Sequence, residues 1–359
     1  MIASFLTFLL ILTVLAASAT LARKLAVAPA IVFLIVGIVI AFLPGFPRIE
    51  MQPEGVLLLV LPPLIYSAGV AMSWREFKHN LRPIALLAIG CVIFTTVLVA
   101  AAAHWLLGMP WSVGFVLGAI VSPPDVVAPL AIAKRLKLPH RILVILEGEG
   151  LANDATALIL YRFAVLAVST GSFSLSTAAE SFIAILIGEV IFGIVVGWLS
   201  LRLRKWARDP RVEILLALLT PYLAFWVPEH LGGSGVLATV AAGLYVSWNG
   251  PLLIPSATRL QGIFFWDLVI WLIEGVLFLT IGFQLRLLLE KAQGWPVSEI
   301  VQAIVITSAI VVIARFLWVF PATYLQTLLA RKRHKQTSRP PWREIVVIGF
   351  TGIRGVVSL

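Results

Sequence analysis

Two stretches of this sequence carry acidic and amide side chains inside long apolar runs. The first is Val121-Ser122-Pro123-Pro124-Asp125-Val126-Val127-Ala128-Pro129. Three prolines in seven residues remove backbone donors and break a helix. Unwound backbone at membrane depth is tolerated only where protein buries it or a cavity wets it. Transporters use such breaks to hold ions with freed carbonyls, half-helix ends and a carboxylate. Asp125 stands where that chemistry needs it, the alternative being a proline kink with Asp125 capping a helix. The second stretch is Glu147-Gly148-Glu149-Gly150-Leu151-Ala152-Asn153-Asp154. On one helix, Glu147 and Asp154 share a face, and Glu149 and Asn153 share another. Desolvation disfavours a charged Asp154, whereas a bound cation favours it. Proton and metal ion then compete for one group. The alternative is polar glue between helices, with Gly148, Gly150, Ala152, Ala155 and Ala157 allowing close approach.

A mid-span ionisable group costs about 2.5–3.5 kcal/mol on insertion scales, so each one asks for a partner or a task. Arg315 is expected to pair with Glu147 or Glu149, or else to reach for the membrane surface. Glu189, Asp267 and Glu274 are also intramembrane and read as structural. Gly232-Gly233-Ser234-Gly235 has the spacing of a rhomboid-type serine nucleophile, but such a site needs a histidine on a second helix. Histidines 79, 104, 140, 230 and 334 fall in loops or at segment ends, and a tight turn explains the glycines better.

The elements that must position these groups are membrane spans. The chain is 60% hydrophobic and 12% charged, against about half and about a quarter in soluble proteins. Apolar segments run over 2–22, 28–43, 55–72, 83–106, 111–133, 141–168, 177–201, 212–228, 233–248, 263–289 and 297–329, and a twelfth starts near Glu344. Of 27 Lys and Arg, 21 fall after odd-numbered spans and only Arg48, Arg286 and Lys291 after even ones. That bias puts the odd loops in the cytoplasm and the N-terminus outside. It also accounts for the net charge of +10 without nucleic acid. No basic residue precedes the first apolar run, so it reads as a span rather than a cleaved leader. The lone Cys91 forms no internal disulfide. The chain is expected to be one all-α polytopic domain, 1–359, cut within its twelfth span.

At these residues the chain resembles the monovalent cation:proton antiporter family, in its sodium/hydrogen exchanger branch. The resemblance runs along essentially the whole chain. It is carried by Ser122-Pro123-Pro124-Asp125, by the block from Glu147 to Tyr161, and by Gly352-Ile353-Arg354-Gly355. It implies an inverted-repeat fold of thirteen spans in the full protein, with crossed discontinuous helices in the fifth and twelfth. It further implies that Asp154 binds the transported cation with Asp125 and Asn153, and that Glu149 pairs with Arg315. Glu147, Pro124 and Arg354 would support the site. Asn153-Asp154 is similar to the pair of the electroneutral branch. The implied function is Na+/H+ exchange in the inner membrane, by a homodimer in lipid and without a cofactor. Rival readings are K+/H+ antiport, a cation channel, and organic-solute transport on the same fold. Three departures each remove an oxygen ligand: Pro124 for a threonine, Gly150 for a serine, and Ser67 for a third-span glutamate.

Overall fold

The computed structural model describes residues 2–25, 27–43, 53–125, 130, 133, 138–170, 175–292, 294, 296–332 and 342–350. Every regular element among them is helical. They are α1 (Ile2–Leu25), α2 (Pro29–Ala41), α3 (Pro53–Ala71), α4 (Trp74–His79) and α5 (Leu81–Ala85). A π turn (Leu86–Cys91) leads into α6 (Val92–Leu107), followed by α7 (Trp111–Val121), α8 (His140–Thr170) and α9 (Leu175–Ala207). Then come α10 (Pro210–His230), α11 (Val236–Leu253), α12 (Ser256–Lys291), α13 (Val297–Lys332) and α14 (Trp342–Phe350).

Among the described residues, seven helical stretches are long and apolar enough to cross a membrane, and Pro29–Ala41, Leu58–Ala71 and Trp111–Val121 are shorter apolar helices. The continuous stretch Leu81–Leu107 includes the π turn. The apolar segments read from the sequence fall on these helices, with one qualification. The fifth is helical only to Val121, irregular through Asp125, and helical again at Leu130 and Ala133. The π turn and the short α4 have no counterpart in the hydropathy pattern. The twelfth segment is described only to Phe350, so Gly352–Gly355 lies outside the described residues.

The chain divides into two compact units. One comprises Met1–Leu61 and Arg259–Val297. There α2 and α12 meet backbone to backbone, because a Cβ on Gly37 would lie 2.2 Å from the Leu279 carbonyl oxygen. Small residues at such contacts gain dispersion that the lipid does not supply. Ala41, Leu279 and Phe283 form the core beside them, with Ile11, Val14, Val36 and Ile40 packed against it. Arg286 Nη1 donates to the Ala41 carbonyl at 3.0 Å, serving an orphan acceptor at the end of α2.

The other unit comprises Pro62–Thr258 and Ser298–Leu359, and it contains every described candidate site residue. Its helices also close on small residues. Gly118 of α7 would place a Cβ 2.5 Å from the Thr96 carbonyl of α6, and Gly193 of α9 would place one 2.1 Å from the Ala238 carbonyl of α11. Leu87, Cys91, Ile145, Val319 and Ile345 form a core that joins the π turn, α8, α13 and α14.

Candidate ion-binding site

The site grows from the irregular end of α7. Pro123 and Pro124 offer no N–H, so the backbone beyond Val121 cannot continue the ladder. Ser122, Pro123 and Pro124 are buried and Asp125 is half-buried. Thr96 Oγ1 lies 3.1 Å from Ser122 Oγ, which ties α6 to the point where α7 ends.

Asn153 of α8 reaches this segment. Its side chain is fully buried, its Nδ2 donates to the Pro124 carbonyl at 2.8 Å, and its Oδ1 accepts from the Asp154 backbone N–H at 2.7 Å. The fork is oriented by its partners, since one is an obligatory acceptor and the other an obligatory donor. One amide therefore satisfies a carbonyl released by the proline break and also holds the residue that carries the second carboxylate. Asp154 is half-buried and lies in the electrostatic field of Asp125. The proline break and the Asn153 fork thus bring two carboxylates to one region of the unit. Together they supply oxygen atoms for a proton or a small hard cation.

One turn before Asn153, Glu149 is 0% exposed and faces Arg315 of α13, which is 2% exposed. The pair is bidentate, with Nη1–Oε1 at 2.6 Å and Nη2–Oε2 at 2.9 Å. Arg315 Nε also donates to the Ile348 carbonyl of α14 at 3.0 Å. A buried charge pair holds only with such geometry and with its remaining donors occupied. The helical faces separate as the spacing requires: Glu149 and Asn153 are sealed, while Glu147 and Asp154 are half-buried. Of the residues singled out in the sequence, Pro124, Asp125, Asn153 and Asp154 come together, and Glu149 with Arg315 forms a second group on the same helix. Arg354 lies outside the described residues. Ser67 bonds locally to the Leu64 carbonyl at 2.9 Å, and Gly150 brings no side chain.

The glycine-rich turn at 232–235 has a structural explanation. Glu189 of α9, itself buried, accepts from the Ser234 hydroxyl at 3.1 and 3.0 Å, from Gly235 N at 3.1 Å and from Leu237 N at 3.1 Å. It also accepts from Ser234 N. The carboxylate thereby caps the start of α11, where unpaired N–H groups and the helix dipole favour an anion. Positive φ at Gly232 and Gly235, +87° and +68°, makes that turn possible. Ser234 serves the cap, and its hydroxyl makes no hydrogen bond to a histidine among the described residues. Asp267 is exposed on α12 and Glu274 is half-buried there.

Two further arrangements escaped the sequence reading. Arg162 of α8 pairs with Glu229 of α10 and donates to the Gly233 carbonyl. An arginine well inside a span, with a glutamate at the end of another, was the available signal. Trp318 of α13 donates through Nε1 to the Leu86 carbonyl at 2.9 Å, and nothing in the hydropathy pattern marks that contact.

A family profile described as sodium/hydrogen exchanger, transmembrane, matches residues 9–359. A Mycobacterium tuberculosis protein named as an uncharacterised Na(+)/H(+) exchanger is 36% identical over 344 residues, 94% of this chain and 62% of its own length. A sodium, potassium, lithium and rubidium/H(+) antiporter of Bacillus pumilus is 30% identical over 99% of this chain and 54% of its own. This chain thus spans less than two thirds of the length of either relative. Among solved structures, the sodium proton antiporter MjNhaP1 of Methanocaldococcus jannaschii matches with a TM-score of 0.78 at 18% identity, over 99% of this chain and 84% of that one. The shared fold is that of a multi-pass, helical antiporter.

Proposed function

Because the chain belongs to the sodium/hydrogen exchanger family, we propose that it is a secondary transporter exchanging a monovalent cation, Na+ first, for H+. The observation that carries this reading is the Asn153 fork, which ties Asp154 to the broken segment holding Asp125. Asp154, assisted by Asp125, takes a dehydrated cation in one access state and a proton in the other. The Glu149–Arg315 pair neutralises its own charge inside the protein, which keeps both groups apart from the cargo. One exchangeable positive charge at the aspartate pair gives one cation per proton and no net current. Cation identity is the broadest element of the proposal, since a relative is named for sodium, potassium, lithium and rubidium. The chain acts as one transport domain, as a transporter rather than an enzyme, and needs no cofactor beyond its cargo. It sits in the inner membrane with its N-terminus outside, as a homodimer; the charge bias supports the orientation and the family resemblance the rest.

The test is dequenching of a pH-sensitive dye in everted vesicles carrying the full-length protein, on addition of Na+, K+ or Li+, with membrane potential clamped and unclamped. Cation-specific dequenching that ignores potential is expected, and Asp154→Asn is expected to abolish it. Exchange that survives Asp154→Asn overturns the site assignment, and a cation current at fixed pH gradient overturns antiport in favour of a channel.

A further inference from the structure

We infer that Trp318 is a positioning residue for the Glu149–Arg315 pair, acting through the π turn at Leu86–Cys91; the transport consequence rests on the exchange reading above. The turn interrupts the span Leu81–Leu107. Such insertions cluster at functional sites, because they break the regular register where a neighbour must be received.

Here the neighbour is an indole. Trp318 Nε1 donates to the carbonyl of Leu86, the first residue of the turn, at 2.9 Å. Its ring lies over Gly90 so closely that a Cβ there would stand 2.3 Å from Cζ2 and 3.1 Å from Cη2. The Phe94 ring packs against the indole in a tilted contact, centroids 5.3 Å apart. Hydrogen bond, cleft and ring contact locate one point of α13 against the turn, and the half-buried Trp318 N–H is held there by a backbone acceptor that its loss would leave unserved.

Three residues earlier on the same helix, and hence close to the same face, stands Arg315. Its guanidinium must meet Glu149 on α8 with both Nη atoms and the Ile348 carbonyl on α14 with Nε. That triple contact tolerates little rotation or sliding of α13. Trp318 fixes the rotation and the height, and Cys91, at the end of the π turn, lies in the field of the guanidinium. An Arg315 that drifts from Glu149 is a positive charge able to compete with the transported cation for nearby carboxylates. The expected signature is therefore weaker cation affinity with the maximal rate retained.

The experiment uses the full-length protein with Trp318→Phe, which keeps a ring and removes the N–H, and Gly90→Ala, which displaces the ring. Exchange is measured as a function of Na+ concentration, alone and in a Glu149→Gln background. Each single variant is expected to raise the half-saturating Na+ concentration by about threefold to tenfold, the range set by one net hydrogen bond. Maximal rate should stay within about twofold on the same reasoning. In the Glu149→Gln background, where Arg315 is already released, Trp318→Phe should add nothing. An unchanged half-saturating concentration, or an equal shift in both backgrounds, overturns the inference. Hydrogen exchange of residues 145–153 and 343–350 in purified wild type and Trp318→Phe supplies a readout free of transport and of the Glu149 variant. Faster exchange in both segments supports the coupling, and unchanged exchange overturns it. Wild-type protein that moves no cation would instead refute the exchange reading, and the hydrogen-exchange result would still decide the role of Trp318.

Discussion

Asn153 does work at the residue scale that neither an alanine nor an aspartate can do. Its amide must offer a donor to the Pro124 carbonyl and an acceptor to the Asp154 N–H. An aspartate there would set two acceptors against each other unless it carried a proton. An alanine would leave the carbonyl unserved in a buried place, at a cost of about 1–3 kcal/mol. Asn153→Ala is therefore expected to slow cation-driven proton exchange by roughly tenfold or more, on that same cost, in vesicles matched for protein content. A rate within twofold of wild type would show that the fork is dispensable. The identities of these residues were legible because an ionisable group in a span is rare on energetic grounds. The directions of their bonds were not, since spacing assigns a helical face but not a partner on another helix. Arg315 illustrates the limit: its position in the sequence left both Glu147 and Glu149 as candidates, the family resemblance named Glu149, and the folded chain supplies the bidentate geometry that spacing could not.

At the scale of elements, close contact falls where glycines let backbones touch and where a side chain serves a helix end. Glu189 is such a group, holding the start of α11 with one carboxylate. Hydrogen bonds to a charged partner contribute about 1.5–3 kcal/mol. Glu189→Ala is thus expected to lower the thermal unfolding midpoint of the purified protein and to speed amide exchange at residues 234–238, while Glu189→Gln should fall between the two. Unaltered exchange at 234–238 would refute the capping role. Hydropathy located the long apolar helices because burial in lipid depends on composition. The π turn at Leu86–Cys91 and short α4 depend instead on what packs against them, and no period in the sequence encodes that. The break after Val121 was legible because proline acts through its own covalent structure, whatever its neighbours.

For the whole molecule, the uneven distribution of lysine and arginine makes an orientation testable. With Cys91 replaced by serine, a single cysteine at Lys78→Cys or Arg208→Cys should react with an impermeant thiol reagent only from the cytoplasmic face. Gly294→Cys should react only from outside. The opposite pattern would invert the proposed topology. Composition alone showed that this is a membrane protein, and two motifs with a glycine-rich third carried the family resemblance. The division into two compact units was not legible, because each unit is assembled from segments distant in sequence.

The pairing of Arg162 with Glu229 also has a history within each molecule's synthesis. The arginine lies in the helix His140–Thr170, and its carboxylate follows 67 residues later in the chain. During synthesis the guanidinium enters the bilayer before its counter-charge has been made, and a lone arginine is poorly tolerated there. Until α10 arrives, the helix lacks the carboxylate that pairs with its arginine in the folded chain. Final seating of α8, and with it the placement of Asp154, therefore waits on a carboxylate carried by a helix that is made later.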